Sequence, residues 1–220
     1  NRKEHLHFGL LTDFTDASQE MLYNDQILLD IVKNGIEGLN KKYQRENNDL
    51  FFLFHRPRKW NQQENVWMGY ERKRGKLSDL NALLRGITKE HFSLIIGNQS
   101  VFPKIKYVIT LDADTQLPLG SAWKLIGTMA HPLNRAWYDE KKKRVTKGYG
   151  ILQPRITVSL PDITGSRYTR MHGNEPGIDP YTRASSDVYQ DLFGEGSYIG
   201  KGIYDVDVFQ QVLDDKFLEN

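Results

Sequence analysis

Cysteine is absent from this chain, which excludes disulfides, thiolate metal sites and a cysteine nucleophile. Long apolar runs are absent as well. The strongest stretch, Leu50–Phe54, falls far short of the roughly 18 residues that a membrane-spanning helix requires. The first residues, Asn1-Arg2-Lys3-Glu4, carry no apolar leader of the signal-peptide kind. Charge of one sign is lacking too: 30 basic residues face 28 acidic ones, for a formal charge of +2 and a pI near 8.6. That balance writes no nucleic-acid footprint. With 39% hydrophobic residues and nearly cancelled charge, intrinsic disorder is excluded. The six histidines show neither HExxH nor any paired metal spacing, and no GxxxxGK[ST] phosphate loop occurs. A chain of this size buries roughly 70% of its unfolded surface and needs no covalent staple.

What is present alternates between two periods. His5–Leu11 (HLHFGLL) is an apolar run closing on Thr12-Asp13 and predicts a buried strand. Leu28, Val32, Ile36, Leu39 and Tyr43 recur at helical spacing after a helix start read at Asp16–Glu20. Leu50–Phe54 predicts a second strand, and Leu77, Leu80, Leu84 and Ile87 a second amphipathic helix. Tyr107–Leu111 (YVITL) predicts a third strand, residues 120–130 a helix and Tyr149–Leu152 a short strand. Strand–helix alternation argues for an α/β fold with a mostly parallel sheet and helices on both faces. Ligands of such sheets sit at the carboxyl ends of the strands. The two chain ends lack starting and terminating logic, so the chain reads as one partial domain, 1–220, cut from a larger protein.

Four constellations could carry chemistry. Asp112-Ala113-Asp114 follows the YVITL strand, where two carboxylates can grip a divalent metal and the diphosphate it bridges. Asp205-Val206-Asp207 has the same spacing but precedes a helical pattern at Phe209–Leu213, so helix capping explains it. Asp13 ends a strand and could meet a base or ribose, whereas Asp16 reads as a helix N-cap. Trp67–Leu77 holds Arg72, Lys73, Arg74 and Lys76 around Gly75, either as a diphosphate site ahead of a helix or as a solvated basic loop. Gln153-Pro154-Arg155 and the glycine-rich, aromatic run Pro176–Gly202 have the composition of a polyhydroxylated-ligand site. Lys141–Arg144 reads as a solvated loop.

YVITLDADTQLP, GTMAHPLNR, GYGILQPRITVSLP, WMGYERKRGKLSDLN and GIDPYTRASSDVYQDLFGEGSYIGKGIYDVD together resemble the glycosyltransferase domain of bacterial cyclic β-1,2-glucan synthases, over nearly the whole chain. The resemblance implies a GT-A-like fold, truncated at both ends. It also implies a domain at the cytoplasmic face of the bacterial inner membrane, in a polypeptide that includes transmembrane segments and a phosphorylase-like region. The activity implied is inverting transfer of glucose from UDP-glucose to a growing β-1,2-glucan, with Mg or Mn. By position, Asp112 and Asp114 match the metal-holding pair, Asp13 an acidic residue near uridine, and Lys73 and Gly75 a KxGxL element near the diphosphate. That element often continues with Asn where this chain has Ser78. Gln153, Arg155, Gly196 and Ser197 fall near the donor and acceptor channel. The general base is expected beyond Asn220, and the 220 residues alone are expected to be inactive. Two rivals are a non-catalytic nucleotide-sugar or glucan-binding module and a metal-dependent phosphoryl-transfer domain.

Overall fold

The computed structural model describes residues 5–43, 49–154, 192, 198 and 200–213. It divides into two compact units, Asn1–Lys106 with Leu213–Asn220, and Tyr107–Val212.

The first unit contains β1 (Phe8–Asp13), α1 (Asp25–Lys42), β2 (Phe51–Arg56), β3 (Lys59–Asn61), β4 (Val66–Met68), α2 (Arg72–Leu84) and β5 (Leu94–Ile96). A 3-10 turn, Gln99–Lys104, follows β5. Strand β2 is the centre of a three-stranded sheet, parallel to β1 and antiparallel to β5. Its sequence FFLFHR explains that place: Phe52, Leu53 and Phe54 are an apolar run buried on both faces, and the buried His55 and Arg56 that follow are hydrogen-bonded. Phe54 meets Phe92 and Phe102 at ring-centroid distances of 6.0 and 5.7 Å. Helix α2 adds Leu77, Leu80, Leu83 and Leu84, each worth about 1.5–3 kcal/mol when fully buried.

The β1–β2 register ends on Asp13 opposite Arg56. A parallel ladder points facing residues to the same side, so these opposite charges are brought together by strand pairing itself. Helix α1 starts at Asp25, whose carboxylate accepts from Leu22 N at 2.7 Å and from the guanidinium of Arg58. Asn40 fastens the other end of α1 to β2: its Nδ2 donates to Phe51 O and its Oδ1 accepts from Phe51 N, both at 2.8 Å.

The second unit contains β6 (Tyr107–Thr110), α3 (Ser121–Ala130), the hairpin β7 (Trp137–Asp139) and β8 (Arg144–Lys147), β9 (Ile151–Leu152), β10 (Gly202–Asp205) and α4 (Val206–Leu213). Strand β10 pairs antiparallel with both β6 and β9. Ile203, Tyr204 and Val206 are fully buried, and Phe209 lies 4.5 Å from the Tyr204 ring.

The α/β class stands, but the sheets are small and mixed, and β1–β2 is the parallel strand pair among the described residues. Several local expectations need correction. Helix α1 begins at Asp25 and not near Asp16. Residues around Ala17 instead bridge to Trp67 in extended pairing, with reciprocal N–H···O bonds of 2.9 Å. Of the five residues assigned to the buried stripe of α1, Ile36 is buried, while Leu28, Leu39 and Tyr43 are exposed. Helix α2 ends at Leu84 and is followed by Gly86 at φ +71°, which turns Ile87 out to solvent. Strand β1 is not fully buried: Phe8 and Leu10 are 50% and 45% exposed. The basic run does not precede a helix but forms the first turn of α2.

Candidate functional site

In the first unit, Asp13 is the terminal residue of β1 and its side chain is only 11% exposed. Arg56 grips it twice, with Nε donating to Oδ1 at 2.9 Å and Nη2 to Oδ2 at 3.2 Å. Lys76 Nζ adds a contact to Oδ2 at 3.3 Å. Arg56 continues outward: Nη1 donates to Asp79 Oδ2 at 2.5 Å, and Asp79 Oδ1 lies 2.5 Å from His91 Nδ1. Nη2 also donates to the carbonyls of Tyr70 and Arg72, at 2.9 and 3.3 Å. Burial pushes the Arg56 pKa down, but the bonds to Asp13 and Asp79 outweigh it, and the net shift is upward. The result is a planar cation that fixes one carboxylate from β1 and one from α2 while tying down the α2 approach.

The glycines of the WMGYERKRG segment follow from this packing. A β-carbon at Gly75 would stand 2.4 Å from Tyr70 O and 3.1 Å from Arg56 Nη1. At Gly69 it would meet the Asp13 carboxylate. Glu71 and Arg72 take left-handed φ values of 54° and 45°, a costly geometry that clusters at functional turns. Lys73 is half-buried in the same first turn, where Arg72 N and Gly75 N donate to Gly69 O at 2.9 Å and Glu71 O at 3.0 Å. Asp16 is an ion-pair partner of Arg72 at 2.9 Å, and not a helix cap.

A second buried pair lies nearby in sequence. Arg58 forks onto Asp25, donates to Thr15 O at 2.6 Å and lies 4.8 Å over the Phe14 ring. The Arg58 bond is the largest influence on Asp25, and it outweighs burial to hold the carboxyl below its ordinary range. His55 is buried with Nδ1 2.9 Å from Thr12 Oγ1, and desolvation pushes its pKa down despite Asp13 and Asp25.

In the second unit, Asp112 and Asp114 occupy the turn that leaves β6, closed by Thr115 N donating to Asp112 O at 3.0 Å. Asp112 is 36% exposed and Asp114 is exposed. Asp112 Oδ2 accepts the Lys201 ammonium at 3.2 Å. Tyr198 sits beside them, its hydroxyl hydrogen-bonded to Thr110 Oγ1. Burial, joined by the Asp112 charge, pushes that phenol up, and the Thr110 bond offsets only part of the rise. The oxygen-only donor pair on one tight turn fits a hard divalent cation that takes its remaining ligands from phosphate and water. No group of three or more His, Asp or Glu side chains with metal-holding geometry occurs among the described residues.

Asp205, with the same spacing to Asp207, is indeed a cap: its Oδ1 accepts from Asp207 N at 3.0 Å and Val208 N at 3.2 Å. Lys141 and Lys142 lie in the exposed β7–β8 turn, their N–H groups bonded to Asp139 Oδ1. Gln153 follows β9 and is half-buried. Arg155, Gly196 and Ser197 lie outside the described residues, as does most of the Pro176–Gly202 run. Arg56, Asp79 and Lys201 were not anticipated. A charged residue closing an apolar strand was the available signal for Arg56, and Lys201 lies inside the singled-out glycine-rich run without a role of its own assigned there.

No family model matches the chain. Over its whole length it is 43% identical, across 223 aligned positions, to a segment of the cyclic β-(1,2)-glucan synthase NdvB of Rhizobium meliloti (strain 1021). The chain spans 8% of the length of that relative, and the resemblance drawn from the motifs is borne out at that level. No helix among the described residues is long and apolar enough to cross a membrane.

Proposed function

We propose that this chain, related from end to end to a segment of a cyclic β-(1,2)-glucan synthase, is the donor-binding part of a glucosyltransferase that builds β-1,2-glucan from UDP-glucose. The observation that carries the reading is the Asp112–Asp114 turn at the carboxyl end of β6, beside the Lys201 ammonium. The fold assigned is GT-A-like, within a longer membrane-anchored polypeptide facing the cytoplasm.

Asp112 and Asp114 would hold Mg²⁺ or Mn²⁺, whose chemistry here is to offset charge on the departing diphosphate. Lys73 and Gly75 carry the KxGxL element that the resemblance assigns to a diphosphate. The resemblance assigns Asp13, which Arg56 holds in one orientation, a role near uridine. The resemblance assigns Gln153, Arg155, Gly196 and Ser197 to donor and acceptor binding. In the reaction, an acceptor hydroxyl attacks the anomeric carbon opposite the leaving group and gives its proton to a general base. The bond from that carbon to the diphosphate oxygen breaks with its electron pair, and UDP departs.

In a longer polypeptide carrying this segment, Asp112→Asn is expected to abolish incorporation of labelled glucose from UDP-glucose into glucan. Asp205→Asn is expected to leave it near normal. Incorporation that survives Asp112→Asn would overturn the reading. ATP or GTP as the preferred donor would favour phosphoryl transfer in its place.

A further inference from the structure

We infer that Lys201 is a built-in counter-cation of Asp112 that makes metal binding depend on arrival of a diphosphate. The inference rests on the reading of Asp112 as a metal ligand and gives a role to a residue to which the motifs assign none.

The placement is set by the sheet. Strand β10 runs antiparallel to β6 with Gly202 opposite Thr110, so the residue before Gly202 lies alongside the turn after Thr110. Lys201 Nζ reaches Asp112 Oδ2 at 3.2 Å from there. The backbone around Lys201 is tied to the same strand. The Tyr198 hydroxyl bonds Thr110 Oγ1, and Thr110 Oγ1 donates to Gly202 O at 3.4 Å. The stem of Lys201 therefore starts from a fixed point, while its four-carbon chain, 24% exposed, leaves the ammonium free to swing.

Charge arithmetic gives the consequence. Two carboxylates and one ammonium carry a net charge of −1. A divalent cation added alone leaves +1 and sets the metal against Lys201 at close range. When a diphosphate arrives, the metal neutralises both carboxylates and the displaced ammonium has a phosphate oxygen to meet. Metal and diphosphate then bind with positive coupling, and linkage makes the effect reciprocal. In the donor-free state Lys201 also shields the acid pair from stray cations.

The test is titration of Mn²⁺ into the full chain, followed by calorimetry or by the spin-resonance signal of free Mn²⁺, with and without UDP. The wild-type chain should bind Mn²⁺ weakly alone and more tightly with UDP. Lys201→Gln should bind Mn²⁺ alone roughly two- to fivefold more tightly, the range of a part-exposed ion pair, and gain less from UDP. Lys201→Met should behave in the same way, and Lys201→Arg should resemble wild type. Unchanged or weaker binding of Mn²⁺ alone by both uncharged variants, with wild-type coupling to UDP, would overturn the inference. Asp112→Asn separates the two levels. If it abolishes Mn²⁺ binding while the Lys201 variants change nothing, the site stands and the counter-cation role falls. If Mn²⁺ binding survives Asp112→Asn, the metal-site reading falls with it.

Discussion

Gly69 passes so close to Asp13 that a β-carbon at position 69 would stand 2.4 Å from Asp13 Oδ2 and 2.7 Å from Asp13 Cβ. The connection from β4 to α2 is thus fitted over the Asp13–Arg56 pair, and the absence of a side chain at 69 is what lets it close. Gly69→Ala is expected to push Asp13 off Arg56 and destabilise the protein by about 1–3 kcal/mol, read as a lower melting temperature. Gly35 in α1 has nothing near its missing β-carbon, so Gly35→Ala is expected to be neutral or stabilising. Equal melts for wild type and Gly69→Ala would contradict the packing argument.

Arg56 neutralises two carboxylates that strand pairing and α2 bring into the interior. Arg56→Ala leaves Asp13 to Lys76 and Asp79 to His91, and is expected to cost about 3 kcal/mol, because a stranded buried charge is more harmful than a missing pair. Arg56→Lys should recover less than half of that loss, since one ammonium cannot span both carboxylates. Urea-denaturation midpoints measure both.

Two buried groups give stability a pH dependence on the acid side. The His55 pKa is lowered by burial from 6.5, so the unfolded chain takes up a proton that the folded one resists. Its contribution is complete above the unfolded value and is lost as pH falls through the folded one. The slope in that window approaches about 1.4 kcal/mol per pH unit. Asp25, lowered from 3.8, acts further down: the stability it gives is present above that value and vanishes as pH falls through its depressed folded pKa. Denaturation of His55→Phe from about pH 7.5 to 5 should show a flatter decline than wild type, and an identical slope would contradict the assignment.

Asp112 and Asp205 show what was legible in the sequence. Their spacing to a second aspartate is identical, and only position separated them: one pair follows a β-branched strand, the other precedes a helical pattern. The distinction for Asp205 holds in the backbone bonds it accepts. Asp205→Ala should therefore lower stability by about 1 kcal/mol without touching ligand binding. A melt unchanged by the substitution would contradict its capping role.

Strands β1, β2 and β6 and helices α2 and α3 were also readable, because apolar periodicity is a local property. Strand direction was not. Antiparallel β5 and β10 join partners far away in sequence, and no short window records that choice. Strand β10 is four residues long and begins where the glycine-rich run ends, and the short β3 and β7 hairpins offered too few residues to show alternation. Arg56 and Lys201 were missed for a related reason. Each matters through a carboxylate 43 or 89 positions distant, which only the sheet register brings within reach.

The most direct measurement is a thermal melt of the chain with Mn²⁺ plus UDP, with ADP as control. At a hundred times its dissociation constant a ligand adds about 2.7 kcal/mol, a readily visible shift. The account requires a melt raised by UDP and not by ADP, and no such rise in Asp112→Asn. A cooperative melt indifferent to UDP, or one raised equally by ADP, would contradict a uridine-diphosphate donor site in these residues.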